Sequence, residues 1–188
     1  MAVSIIEAPA TLPVTLQDIK NHLRIDHAAE DEFLGETLKS AVAHVEAEIR
    51  QSLIHRTMRQ YCDALPFSKR ITLEGWPFAR IVTVHGYNMS GDMITINPAW
   101  YRAVVDSVSA ELVFDPQIDR ALVWNGFEID FVVGYGETSL DIPSNILQAI
   151  KRVAAHWYEM RGSGTQGAAH TLPNGLDRLL APVRRVSL

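Results

Sequence analysis

The spacing of the apolar residues changes twice along this chain, from helical to strand-like and back to helical. Residues before about 55 repeat with the period of amphipathic helices, the middle alternates as short strands, and a second helical pattern follows. This order favours an α+β fold, in which a helical bundle built from N- and C-terminal helices carries an antiparallel β-rich insertion. The expected parts are an N-terminal helical part (1–55), a β-rich insertion (56–140), a C-terminal bundle helix (141–162) and a flexible linker, short helix and basic tail (163–188).

Two long helices give the clearest pattern. A short helix precedes them, and its start at Thr15 to Asp18 has the form of a capping box. The first long helix has an apolar stripe made of Phe33, Leu34, Leu38, Ala41, Val42, Val45 and Ile49. The second begins near Pro143, and its stripe consists of Ile146, Leu147, Ile150, Val153, Ala154 and Trp157. Tyr158 and Met160 fall off this stripe, which makes contact with a neighbouring subunit a reasonable hypothesis for both.

The middle of the chain predicts about seven short strands separated by Pro and Gly. This spacing is typical of an antiparallel meander or a small sandwich. The predicted strands are Thr57–Asp63, Ile71–Leu73, Arg80–Tyr87, Met93–Ile96, Tyr101–Val105, Glu111–Phe114 and Phe127–Tyr135.

Composition excludes several classes of protein. The single cysteine, Cys62, rules out an intramolecular disulfide and a four-cysteine zinc site. No apolar run approaches the roughly 20 residues of a membrane span, and the first residues lack the features of a signal peptide. We therefore expect synthesis in the cytoplasm and no membrane partner.

The charge is unevenly distributed. Residues 1–52 carry four basic and nine acidic side chains, whereas residues 151–188 carry six basic and two acidic ones. An acidic front and a basic tail favour head-to-tail assembly. The sequence pI of 5.8 is far below the value above about 9 that is typical of a nucleic-acid-binding domain.

No group of residues has the spacing that catalysis or metal binding needs. The Gly134–Gly136 segment lacks the third glycine of a dinucleotide-binding turn and is better explained as the end of a strand. Two helical pairs, His44 with Glu48 and His156 with Glu159, do not form a known ligand motif. Cys62 has no partner histidine nearby in the sequence and reads as a plain strand residue.

A group of carboxylates on the predicted sheet also deserves a test against glycoside-hydrolase chemistry. Its members are Asp115, Asp119, Glu128 and Asp130. Glu128 and Asp130 alternate with the apolar Phe127, Ile129 and Phe131, so they are expected on the solvent-facing side of their strand. We therefore predict no enzyme, no cofactor and no metal site.

The order of several segments resembles the head–tail connector proteins of tailed phages, prophages and gene transfer agents. The opening Pro13–Asp26 (PVTLQDIKNHLRID) and the acidic helix start Glu30–Leu34 (EDEFL) carry this resemblance. So do Val132–Gly136 (VVGYG), Ile142–Ile150 (IPSNILQAI), Ala155–Glu159 (AHWYE) and Leu172–Arg184 (LPNGLDRLLAPVR). The middle, from about Pro66 to Asn125, resembles the longer members of the family only in being rich in strands.

The resemblance implies a non-enzymatic adaptor at the head–tail junction of a virion or phage-like particle, made in a bacterial cytoplasm. Such proteins form a ring, commonly of about twelve copies, beneath the portal and around the DNA channel. The implied partners are the portal protein, a tail-side stopper or tail terminator protein, and further copies of the chain. DNA would pass through the lumen without specific binding.

Two sets of residues become candidates for these contacts. The basic tail is expected to bind the portal, with apolar anchors and arginines that pair with carboxylates; the set is Leu176, Leu179, Leu180, Val183, Arg184, Arg185 and Leu188. Alternatively, Leu176 to Leu180 fold back on the body of the protein. Acidic residues that could face the DNA channel, or simply favour a helix N-terminus, are Glu30, Asp31, Glu32 and Glu36.

Two alternative functions belong to other classes. A DNA-binding packaging factor would show strongly salt-dependent binding, against which the acidic pI argues. A carbohydrate-binding β module of a tail tip would use Trp76, Trp100 or Trp124, although these are scattered among expected core positions.

Overall fold

The computed structural model of the chain describes residues 2–107, 109–118, 124–161 and 172–185. These residues form an α+β fold in which both sheets are antiparallel, as the sequence predicts. The chain divides into two compact units. The β-rich unit contains Met1–Pro9 and His55–Tyr135, and the helical unit contains Ala10–Ile54 and Gly136–Leu188.

The β-rich unit contains a five-stranded sheet with the order β1-β2-β8-β4-β5 and a three-stranded sheet with the order β3-β7-β6. The strands are β1 (Ala2–Glu7), β2 (Arg56–Cys62), β3 (Arg70–Thr72), β4 (Phe78–Asn88), β5 (Met93–Thr95), β6 (Tyr101–Val105), β7 (Ala110–Phe114) and β8 (Trp124–Val133). Strand β8 lies at the centre of the larger sheet, between β2 and β4.

Strands β2 to β8 correspond to the seven predicted strands, whereas β1 differs from the prediction. The segment Ala2–Glu7, grouped by its sequence with the N-terminal helices, pairs with β2 in the β-rich unit. Its side chains do not alternate between a buried and an exposed face, since five of its six residues are exposed. The period-two signal that reveals a half-buried strand is therefore missing from this segment.

Both sheets contribute to the core of the β-rich unit. Ile129 and Phe131 of the larger sheet and Leu112 of the smaller one are fully buried in the same apolar cluster. Phe114 and Phe127 connect the two sheets through rings whose centroids lie 5.5 Å apart. This arrangement agrees with the small sandwich predicted from the strand spacing.

The helical unit contains α1 (Leu16–Leu23), α2 (Asp31–Ile49), α3 (Ser144–Met160) and α4 (Leu176–Leu180). Thr15 caps α1 in the predicted capping box, because its hydroxyl accepts a hydrogen bond from the Asp18 amide at 3.1 Å. The buried residues of the two long helices are Leu34, Leu38, Ala41, Val42, Val45 and Ile49 on α2, and Ile146, Ala149, Ile150, Val153 and Ala154 on α3. Neither these helices nor the shorter ones, as far as they are described, have the length and apolar character to cross a membrane.

Three residues of the predicted stripes differ from the prediction. Phe33 is 43% exposed, and Leu147 and Trp157 are only half-buried. Phe33 and Leu147 lie at or beyond the edge of the buried face of their helix, whereas Trp157 lies on that face near the C-terminal end of α3. Residues 163–171, with which the predicted part of linker, short helix and basic tail begins, lie outside the described residues.

Candidate partner-binding surfaces

The C-terminal segment packs against the rest of the helical unit. Leu176 is 3% exposed and Leu180 is fully buried, while Leu179 is half-buried. In this conformation the two leucines are core residues rather than anchors available to the portal, which corresponds to the alternative in which Leu176 to Leu180 fold back on the protein itself. Their i, i+4 spacing places them on one helix face, and that face is covered by the protein itself.

Polar contacts with the backbone also hold this segment. The Asn145 side chain donates to the Leu179 carbonyl at 2.8 Å, and the Gln51 side chain donates to the Val183 carbonyl. The Arg185 amide donates to the Ile49 carbonyl at 3.1 Å, which satisfies one of the free carbonyls at the end of α2. The segment thus completes the C-terminal end of α2.

Arg184 connects the segment to two carboxylates. Its guanidinium pairs with Glu48 on α2 and, at 3.1 Å, with Asp177 on α4. Arg185 and Val183 are half-buried, and Leu188 lies outside the described residues. Of the predicted portal-contact set, the structure therefore leaves parts of Leu179, Val183 and the two arginines accessible.

The four acidic candidates fall into two classes. Asp31 pairs with the ammonium of the buried Lys20 at 2.7 Å, and Glu30 forms contacts within the helical unit. Glu32 and Glu36 are exposed on the same face of α2, four residues apart, and the structure gives their carboxylates no ion pair within the described residues.

Glu30 belongs to a cluster at the C-terminal end of α3. It accepts hydrogen bonds from the Tyr158 hydroxyl and from Arg161. The Arg161 guanidinium lies 3.9 Å from the centre of the Tyr158 ring, and Phe33 packs beside that ring at 6.3 Å. The hydrogen bond from Tyr158, together with Arg161, lowers the pKa of Glu30 below its ordinary value. Tyr158, considered above for an intersubunit contact, therefore has a defined role within its own chain.

The outer side of the five-stranded sheet carries a second charged cluster. Arg59 forms a two-pronged ion pair with Asp130, at 2.7 and 2.8 Å, and a further pair with Glu128 at 3.0 Å. The Tyr87 hydroxyl donates to Glu128 at 2.8 Å. The hydrogen bonds to Asp130 raise the pKa of the Arg59 guanidinium, and the hydrogen bond to Glu128 raises the pKa of Tyr87.

The prediction that Asp130 faces solvent is wrong. Asp130 is only 5% exposed because Arg59 lies directly opposite it on β2 and covers it. The neighbours Phe127, Ile129 and Phe131 are buried as predicted. No sequence signal revealed the pair, since it depends on the register between strands that are separated by about seventy residues.

Several other candidate residues have structural contacts, whereas Asp119 and the side chain of Trp124 lie outside what the structure describes. Cys62 is buried in β2, and burial raises the pKa of its thiol, which disfavours the reactive thiolate. The Gly134–Gly136 segment follows the end of β8, as predicted. His44 packs edge-on against Trp157 at 5.6 Å, and the described residues contain no metal-binding group of three or more candidate ligands. Trp76 and Trp100 are half-buried, and Trp100 packs against the core.

Comparison with known proteins finds similarity to one protein family and to several solved structures. Residues 13–76 match the phage gp6-like head–tail connector proteins. Over its whole length, the chain is similar to a protein in the neck of an empty gene transfer agent particle determined with C6 symmetry, with a TM-score of 0.80 and 25% identity over 97% of that chain. The chain is thus similar to head–tail connector proteins over residues 13–76 and to a neck protein of a gene transfer agent over its whole length.

Two further solved structures share the fold of this chain. One is a chain in the virion of a native gene transfer agent, with a TM-score of 0.80 and 24% identity. The other is a chain in the neck of a native particle with C12 symmetry, with a TM-score of 0.78 and 23% identity. Each match covers 100% of this chain and 97% of the other. None of the curated protein sequences matches this one.

Proposed function

We propose that this protein is a structural, non-enzymatic connector at the head–tail junction of a tailed phage or gene transfer agent particle. In this function, about twelve copies form a ring beneath the portal. The ring surrounds the DNA channel and receives a stopper or tail terminator protein on its tail side. The observation that carries the proposal is the whole-chain match to a neck protein of a gene transfer agent, together with the connector-family match of residues 13–76.

The arrangement of the helices supports this proposal. Helices α1, α2 and α3 contact one another and α3 contacts α4, as expected for the helical bundle of a connector with a β-rich insertion. The charged clusters found in the described residues are used internally, in ion pairs and hydrogen bonds that stabilise the fold. A stable scaffold whose remaining surfaces bind other proteins is what a connector requires.

Native mass spectrometry of the purified protein, alone and with the portal ring of its own particle, tests the function. We expect a complex with about twelve copies of the chain on one portal ring. A protein that stays monomeric and ignores the portal would contradict the proposal. A steep loss of DNA binding with rising salt would instead support the packaging-factor alternative.

The C-terminal segment is the proposed contact with the portal. Because Leu176 and Leu180 are buried, the accessible parts of Leu179, Val183, Arg184 and Arg185 would make the contact in the conformation described. Leu188 stays in the proposed contact set, although it lies outside the described residues. The arginines suit this role because a guanidinium pairs with carboxylates through two parallel hydrogen bonds.

Point variants test this contact better than removal of the segment, since removal would also delete two core leucines. We expect Arg185→Glu to weaken portal binding at least tenfold while the far-ultraviolet circular dichroism stays unchanged. Lys39→Glu is the matched control, because Lys39 is an exposed cation on α2 of the same unit. Equal portal affinity of the two variants would exclude Arg185 from the contact.

Glu32 and Glu36 are the proposed channel-facing acids, since Glu30 and Asp31 are already engaged. Negative side chains on a channel wall would repel DNA phosphates and prevent adhesion. The double variant Glu32→Lys/Glu36→Lys should therefore slow DNA delivery by assembled particles. Particles that deliver DNA at the normal rate would assign these residues to the helix surface alone.

A further inference from the structure

Strand β1 is attached to the β-rich unit by its backbone rather than by its side chains. Its residues pair with β2, from Ala2 opposite Tyr61 to Ile5 opposite Met58. Nevertheless, only Val3 is half-buried, and Ile5 and Ile6 are 52% and 46% exposed. Because these isoleucines remain in water, they have not yet contributed the stabilisation that apolar burial provides.

The outer edge of β1 is also open. The strand lies at the end of its sheet, and no strand of the described residues pairs with its far side. Alternate residues of such an edge direct their N–H and C=O groups away from the sheet. Natural edge strands are usually protected by charges, by proline or by short length. The segment from Ala2 to Ile6 has no charge and no proline, and its register is regular up to Ile5.

The opposite end of the same sheet is incomplete as well. Strand β4 runs from Phe78 to Asn88, but β5 pairs only with its residues His85 to Tyr87. The last contact along this edge of β4 is the hydrogen bond from the Ile96 amide to the Val84 carbonyl at 2.9 Å. The outer side of residues 78–83 has no partner strand within the described part of the chain.

A second copy of the chain fits these two edges. In a cyclic ring each subunit uses two different surfaces, one toward each neighbour. The two edges lie on opposite sides of one sheet, and β1 and the uncovered residues 78–83 of β4 have the same length of 6 residues. We propose that in the ring β1 of one subunit pairs with residues 78–83 of β4 in the next subunit, so that the five-stranded sheet continues from copy to copy.

This inference rests on the proposed ring, and charge substitution on β1 tests it. The double variant Ile5→Lys/Ile6→Lys places two ammonium groups where the neighbouring strand would lie. We expect it to fold normally, because both side chains are already exposed, and to lower ring formation at least tenfold in native mass spectrometry. The matched control is Phe67→Lys, which charges a fully exposed apolar residue of the same unit and should leave the ring intact.

Cysteine trapping tests the pairing itself. Ile5→Cys protein and Val82→Cys protein are oxidised separately and as a mixture, and Ile6→Cys and Arg80→Cys repeat the experiment for the adjacent register. The native Cys62 is buried and stays in place. We expect disulfide-linked dimers mainly in a mixture, and a ladder of oligomers from a chain that carries both cysteines.

The outcomes separate this inference from the function on which it rests. A wild-type ring that the lysine variant leaves unchanged, with no mixed disulfides in any register, overturns the strand pairing but keeps the connector function. Disulfides formed by the Ile5→Cys protein alone indicate a two-fold β1 contact and also overturn it. A lysine variant that forms rings but fails to bind the portal or tail-side protein assigns β1 to that protein instead. Wild-type protein that forms no ring in any condition overturns both proposals.

Discussion

The two ends of the described chain are attached in opposite ways. The C-terminal segment, residues 172–185, places Leu176 and Leu180 inside the helical unit, whereas β1 joins the β-rich unit by hydrogen bonds along one edge and leaves Ile5 and Ile6 in water. A segment held by buried side chains stabilises its own unit but offers a partner only its remaining surface. A segment held by one backbone edge adds little stability and keeps its other edge and its side chains for binding.

The stability of the five-stranded sheet should depend far more on the ion pair of Arg59 with Asp130 than on the edge strand β1. Arg59 lies opposite Ser4 of β1 on one side and opposite Asp130 on the other. We expect Asp130→Ala to lower the free energy of unfolding by about 3 kcal/mol, because the half-buried guanidinium of Arg59 loses its main partner and keeps only Glu128. Urea unfolding followed by circular dichroism measures this loss. A loss below about 1 kcal/mol would show that water replaces the carboxylate effectively.

Truncation of one apolar side chain at each end tests the comparison directly. We expect Leu180→Ala to cost about 3 kcal/mol, since it removes buried methyl groups and leaves a cavity. Ile5→Ala should change the free energy of unfolding by less than about 0.5 kcal/mol in the dilute, unassembled protein. Urea titrations of both variants provide the measurement, and equal losses at the two ends would contradict the comparison.

The ion pair of Arg184 should add a smaller amount to the C-terminal attachment. Its side chain and that of Glu48 are both about one-third exposed, so water screens the interaction. We expect a coupling free energy of about 0.5 kcal/mol in a double-mutant cycle of Arg184→Ala with Glu48→Ala, decreasing as salt is added. Arg178→Ala is the control for removal of an exposed cation from the same segment.

Acid should weaken the helical unit through Glu30. The folded protein holds the pKa of this carboxyl below its ordinary value of 4.5, so Glu30 stabilises the fold above that pH and ceases to do so as pH falls through the lowered pKa. We expect Glu30→Gln and Tyr158→Phe to flatten the stability–pH profile below about pH 5. A profile equally steep in both variants and in the wild type would assign the acid sensitivity to other carboxylates.

The sequence was sufficient to predict structure where the residue pattern of a single segment determines which of its side chains are buried or capped. The stripes of α2 and α3 and the alternation of Phe127, Ile129 and Phe131 predicted buried faces that the structure contains. The Thr15 capping box was also predicted, because its donors and acceptors lie within four residues of one another.

Contacts between distant segments could not be predicted in this way. Asp130 is buried by Arg59 of another strand. Glu30 accepts a hydrogen bond from Tyr158, which lies 128 positions later in the sequence. The apolar face of α4 was evident, yet the sequence left open whether the protein itself or a partner covers it. Strand β1 was not predicted because an edge strand without a buried face lacks the alternation of apolar and polar residues that indicates a strand.

The division of the chain also affects the order of folding during synthesis. Helix α2 leaves the ribosome before the β-rich residues 55–135, and α3, which packs against it, leaves after them. Until then the apolar stripe of α2 has no α3 to cover it, a state that favours aggregation or chaperone binding. The strands β2 to β8 need no residue beyond 135, so we expect the β-rich unit to fold first. Docking of α3 onto α2 would then be the late step that completes the subunit.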